Sequence, residues 1–200
     1  MEQSVAIAAD ISTRSYAWLQ APACTPQTDY QLCSGTFQAF DYQAADHIIT
    51  GTAPVSSYVL TARLWLPLTA PKPWPLLIFG HGLGGDTSQG DPLGALIAPM
   101  GMAGVAIDAV DHGLHPGAPS AQLGEILAFF GMSTGNLEPL VLRDNFRQST
   151  YDKLQLLRLL ATVGDVDGDG KPDLDQSHFS YFGVSLGGML WVVKTTAAPT

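Results

Sequence analysis

The 200-residue chain predicts an α/β fold, a mainly parallel sheet flanked by helices, on three observations. Short apolar runs recur at residues 76–79, 104–110 and 179–182, and each ends in a glycine-bearing loop. Longer stretches of helical periodicity alternate with them, which is the order of strand–helix–strand units. Hydrophobic residues make up 46% of the chain and charged residues 14%, enough apolar surface for a core and too little charge for a disordered chain.

Taken in order, residues 1–50 read as an irregular N-terminal segment rich in Ala, Gln, Thr and Ser, and residues 51–200 as the α/β unit. Alternation over residues 58–67 predicts an edge-type strand stopped by Pro67. Pro71, Pro73 and Pro75 make the next segment a turn. The buried strand at 76–79 opens into a glycine loop, a helix follows over 93–102, and a second buried strand over 104–110 leads into Asp111-His112-Gly113. Residues 114–140 are an excursion with a helix at 122–130, whose Phe129, Phe130, Met132 and Leu137 suit either a lid or ordinary packing. Residues 143–163 carry the clearest helical pattern, with Leu142, Phe146, Leu154, Leu157 and Leu160 placed for one face. An acidic stretch at 165–175, a strand at 179–182, a glycine turn and a helix over 188–194 complete the pattern.

Nine basic against 18 acidic residues give a net charge of −9, which argues against nucleic acid or an anionic membrane surface as partner. The longest apolar tract, 92–110, is broken by Pro99 and Asp108 and reads as helix plus strand rather than a membrane span. Met1-Glu2-Gln3 lacks the basic start of a secretory signal. Cys24 and Cys33 flank a polar, turn-rich stretch in which a disulfide would close easily, stabilising by roughly 2–3 kcal/mol and implying an oxidising compartment; two unrelated thiols are the alternative.

Gly183-Val184-Ser185-Leu186-Gly187 lies between an apolar strand and a helix. A serine on such a tight turn has an exposed hydroxyl, and glycines on either side remove side chains that would collide. His81-Gly82-Leu83-Gly84-Gly85 follows an earlier strand, where glycines allow the backbone to approach a carbonyl oxygen closely. Asp108-Ala109-Val110-Asp111-His112-Gly113 follows the next one. With these three motifs in this order, residues 58 to 196 resemble the α/β-hydrolase family, most of all its secreted bacterial lipase or esterase members. The resemblance implies that Ser185 is the nucleophile, that the Leu83 and Leu186 amides bind the oxyanion, that His81 shapes its loop, and that the Asp108–Gly113 segment is a structural turn. Family chain order places the acid and the histidine base after the serine. They are expected downstream of Thr200, with the C-terminal strands, so that the chain is the N-terminal part of a hydrolase and a poor catalyst alone.

Asp165, Asp167, Asp169 and Asp173 recur around Gly168 and Gly170. Hard oxygen donors on a sharply turning loop match calcium ligation, with the Lys171 carbonyl between them. The pattern is closer to the short calcium loops of extracellular repeat proteins than to an EF-hand, because Gln176 stands where the bidentate Glu would be. Such a calcium ion is expected to be structural; a solvated acidic turn is the alternative. The expected function is hydrolysis of small-molecule or lipid carboxylic esters through an acyl-serine, in an extracellular or cell-envelope setting. The competing class is a non-catalytic, calcium-stabilised binding module on the same scaffold.

Overall fold

A computed structural model describes residues 2–132 and 135–190. Six strands form one sheet in the order β1-β2-β3-β5-β4-β6. They are β1 (Trp18–Pro26), β2 (Tyr30–Asp41), β3 (Ser56–Pro67), β4 (Trp74–Gly80), β5 (Ala103–Ile107) and β6 (Leu174–Gly183). The sheet is mixed. β1, β2, β3 and β5 pair antiparallel in turn, whereas β5, β4 and β6 run parallel. The parallel half carries the glycine motifs, and its central strands β4 and β5 are buried along nearly their whole length, as apolar strands covered on both faces should be.

Residues 1–50 are not irregular. Helix α1 (Glu2–Thr13) buries Ile7 and Ile11, and β1 and β2 form a hairpin whose second strand pairs with β3 from Tyr30↔Pro67 to Asp41↔Ser56. The Ala, Gln, Thr and Ser of this segment obscure the alternation because β1 is an edge strand with two register shifts and few buried side chains. Cys24 and Cys33 are directly opposed partners of that hairpin and form a disulfide. The bridge is thus a cross-strand one rather than a loop closure.

The helices are α2 (Asp91–Ile97), α3 (Gln122–Phe129), α4 (Pro139–Thr162) and the short α5 (Leu186–Met189). The helix expected over 93–102 ends as a 3-10 turn at Ala98–Met100, where Gly101 at φ 82 stops it. Residues 133 and 134 of the excursion, and the part of the helix expected over 188–194 that follows residue 190, lie outside the described residues. Arg63 clamps Asp91 at the start of α2 with two hydrogen bonds of 2.8 and 2.7 Å, and Trp65 Nε1 donates to the same carboxylate at 2.8 Å.

The inward face of α4 differs from the expected leucine stripe. Leu160 is buried, but Leu142, Phe146, Leu154 and Leu157 are only partly so, while Asp144, Asn145, Gln148, Asp152 and Gln155 are fully buried. The reason lies in β2. Its pairing with β1 stops at Trp18↔Phe37, leaving the backbone of Phe40 and Tyr42 without a strand partner on that side. Gln155 accepts the Phe40 amide at 2.6 Å and returns a bond to its carbonyl at 3.0 Å; Gln148 accepts the Tyr42 amide at 2.9 Å. Buried backbone groups must be paired, and α4 pairs them with side chains.

Candidate active site

Parallel strands β4 and β6 finish level, at Gly80 and Gly183, and both motif loops leave from there. The two loops interlock. The Val184 amide donates to the Gly80 carbonyl and the Gly187 amide to the His81 carbonyl, each at 2.9 Å. A side chain at Gly187 would collide with the Gly80 backbone, which is why the turn needs a glycine there. Ser185 sits between them at φ 50 and ψ −114, a strained conformation for a residue with a Cβ. It is exposed, at the head of α5.

The glycine loop abuts the serine: a Cβ on Gly82 would lie 3.8 Å from Ser185 Cβ. Its shape is set from four sides. The Gly85 amide closes a turn onto the Gly82 carbonyl at 3.1 Å. Gln89 Oε1 accepts the Gly82 amide at 2.9 Å, and Gln122 Nε2 donates to the Gly84 carbonyl at 2.5 Å. His81 lies beneath, 2% exposed, with Nδ1 against the Gly82 carbonyl and Nε2 accepting the Ala109 amide, both at 2.9 Å. Burial pushes its pKa down to about 4. The Leu83 and Leu186 amides donate to no group among the described residues, so this edge of the sheet offers a serine hydroxyl beside two open backbone donors. Gln89 and Gln122 were not legible as site residues, because no spacing rule links a glutamine to a glycine seven or 38 residues away.

Asp108 behaves as a turn residue: it accepts the Thr87 and Leu114 amides at 2.7 and 2.8 Å, and burial raises its pKa. Phe129, in the excursion, is fully buried against His112, Phe146 and Leu186, and so belongs to the packing under the site. No histidine nitrogen is hydrogen-bonded to Ser185 among the described residues. His115 has both ring nitrogens engaged, by the Pro116 carbonyl at 3.1 Å and Asp152 at 3.2 Å. His112 directs Nδ1 at the Val110 carbonyl at 2.8 Å, and its buried Nε2 has no partner among the described residues.

The acidic loop stands at the opposite edge. Asp173 precedes Leu174, which pairs with Trp74 at the start of the parallel strands. Six residues of strand separate that end of β4 from Gly80, about 20 Å at the rise of an extended chain. Oxygens of Asp165, Asp167 and Asp173 lie within 4.8 Å of one another; Asp169 and Lys171 stand outside that group. Asp165 turns the loop by accepting the Gly168 and Gly170 amides at 2.7 and 2.8 Å. The Gln176 side chain lies outside what the structure describes. The carboxylates suit a hard cation, yet an ammonium is already among them. Lys72 Nζ reaches Asp167 and Asp173 at 2.5 Å and Asp169 at 3.0 Å. Desolvation works against that charge, but the hydrogen bonds to Asp167, Asp173 and Asp169 win and raise the Lys72 pKa. In the sequence Lys72 is only a basic residue in a proline turn; nothing there points it at a loop 95 residues away.

Solved structures of other proteins resemble this chain in fold. An acetyl xylan esterase from a Paenibacillus species superposes with TM-score 0.56 at 16% identity, over 95% of this chain and 54% of its own. Acetyl xylan esterase 1 from a Thermoanaerobacterium species gives 0.54 at 19%, over 94% and 51%. A protein assigned as an acetyl xylan esterase in Bacteroides fragilis gives 0.58 at 18%, over 94% and 47%. The fold is that of the α/β-hydrolases. The chain spans about half the length of these structures. No protein-family model matches it, and no curated protein matches it in sequence. No helix of the described residues is long and apolar enough to cross a membrane.

Proposed function

We propose that the whole protein hydrolyses small-molecule carboxylic esters through an acyl-serine at Ser185. The observation that carries this reading is the strained Ser185 abutting Gly82, with the Leu83 and Leu186 amides open beside it. Attack of Ser185 Oγ on an ester carbonyl makes a tetrahedral oxyanion. Two preorganised amides stabilise it, each worth ~3 kcal/mol in such sites. Collapse expels the alcohol, and water then releases the acid. The serine proton must go to a base, and the described residues hold none against it. The solved structures named acetyl xylan esterases favour a short acyl group. The disulfide favours an extracellular or cell-envelope setting. Asp165, Asp167 and Asp173 are proposed to take calcium for stability, far from the chemistry.

A fluorophosphonate probe tests the nucleophile. It should label the natural full-length protein and not its Ser185→Ala variant, and that variant should lose hydrolysis of p-nitrophenyl acetate while keeping its near-UV circular dichroism. Retention of more than about a tenth of the parent activity, a loss under 1.4 kcal/mol of barrier, rejects the assignment. The second reading, a calcium-stabilised binding module, is favoured by the absence of a base beside Ser185 among the described residues; an unlabelled but folded parent would select it.

A further inference from the structure

A cavity of about 220 Å³ opens at the same carboxyl edge, over β2, β3 and β5 rather than over the Ser185 strands. Its walls come from the end of β2 and the loop after it, the start of β3 and the loop after β5. Among the described residues three non-glycines have left-handed backbone: Ser185, His47 at φ 62 and Asp111 at φ 61. The first is the proposed nucleophile. The other two both line this cavity. Strain of this kind persists where surrounding structure holds it, and it clusters at ligand sites.

The polar groups of the wall are unbalanced. Asp111 is 5% exposed; its Oδ2 accepts Asn145 Nδ2 at 3.0 Å and its other oxygen has no partner among the described residues. Asp41 lines the same space, accepting the Gln43 amide at 2.9 Å and the Ser56 hydroxyl at 3.0 Å. Burial raises the pKa of both carboxyls, so each gains from a positive charge beside it. The donors of the wall are spent. Tyr58 donates to Asp152 at 2.8 Å, His115 is held by Asp152 and Pro116, and Gln43 Nε2 donates to the His47 carbonyl at 2.8 Å and to Asn145 at 2.7 Å. Of the lining side chains, what remains is carboxylate lone pairs, Gln43 Oε1 and the His47 ring.

We propose that this cavity binds a small organic cation of the alkylammonium class, its N–H groups donated to Asp111 and Asp41. Its volume lies below the ~300–1,000 Å³ of drug-sized pockets, so the ligand has only a few heavy atoms. A metal ion fits less well, because metal ligands must converge closely. Among the described residues that convergence occurs only at Asp165, Asp167 and Asp173. The site is independent of Ser185 chemistry.

Butylammonium titrated into the full-length protein at neutral pH, with 1-butanol as the uncharged control, tests the proposal by NMR shifts of the histidine ring protons and by calorimetry. Saturable one-site binding should move the His47 and His115 resonances, persist in Ser185→Ala, and weaken about tenfold or more in Asp111→Asn, since asparagine tolerates the left-handed backbone but carries no charge. Where Asp111→Asn fails to fold, Asp41→Asn is read in its place, with the same direction of effect. Absence of saturable binding, equal binding of butanol, or unchanged affinity in the asparagine variant overturns the proposal.

Discussion

The Ala109 backbone amide donates to His81 Nε2 at 2.9 Å while His81 Nδ1 faces the Gly82 carbonyl at the same distance. One ring nitrogen must therefore be an acceptor and the other a donor, so the imidazole is neutral and a second proton would be set against an N–H. Burial adds to this and holds the pKa near 4, against about 6.5 for an unfolded histidine. The unfolded chain thus takes up a proton that the folded chain refuses. The contribution of this pair is full above pH 6.5 and is lost as the pH falls toward 4, by at most about 3 kcal/mol. Urea unfolding between pH 4 and 7.5 should show that slope, and His81→Gln should flatten it. Parallel slopes in parent and variant would assign the acid sensitivity to other groups.

Gln89 is expected to matter for turnover rather than for substrate capture. Its Oε1 takes the Gly82 amide and thereby fixes the plane of the His81–Gly82 peptide, one unit before the peptide that carries the Leu83 amide. In the full-length protein Gln89→Ala should lower kcat about tenfold, or ~1.4 kcal/mol of barrier, with KM little changed. Gln89→Glu, which keeps the acceptor, should recover most of the loss. A change confined to KM would make Gln89 a substrate contact instead.

A calcium ion at the acidic loop would have to compete with Lys72 for one set of oxygens. If calcium binds with an affinity around 10⁻⁴–10⁻³ M, it adds about 1.4 kcal/mol to stability at tenfold excess over Kd. Melting temperature should rise with calcium and fall with chelator. Lys72→Met should lower the melting temperature in chelator, because it leaves Asp173, which is fully buried, without its cation, and should enlarge the rise with calcium. Coincident melts with calcium and chelator in both proteins would mean that the loop is closed by lysine alone.

The Cys24–Cys33 bridge ties edge strand β1 to β2 across nine residues of sequence. Replacing both by serine should cost ~2–3 kcal/mol in denaturant unfolding. Hydrogen exchange should quicken first in β1, since β2 keeps its full pairing with β3. An unchanged denaturation midpoint would show that the hairpin register alone holds β1.

Local sequence determined much of the parallel half. The apolar runs at β4 and β5 could be buried only as central strands, each glycine loop had to follow a strand, and β6 took the sheet edge with Phe182 49% exposed. Gly183 to Gly187 also specified a strained turn from sequence alone, because only glycines permit the approach of Gly187 to Gly80. The short-range pairing of Cys24 with Cys33 was legible for the same reason: both members lie within a few residues of one turn.

Tertiary structure decided what depended on distant partners. β2 acquired its place through 12 registered pairs with β3, not through its own composition. The buried glutamines of α4 look like a solvent face in sequence and became interior because the backbone at Phe40 and Tyr42 needed donors and acceptors. Lys72 found the acidic loop, and Gln89 the Gly82 amide, only once the strands were side by side. Periodicity reports which face of an element is apolar. It carries no information on which buried backbone group or charge, far along the chain, lacks a partner, and that unmet requirement is what set these polar residues in place.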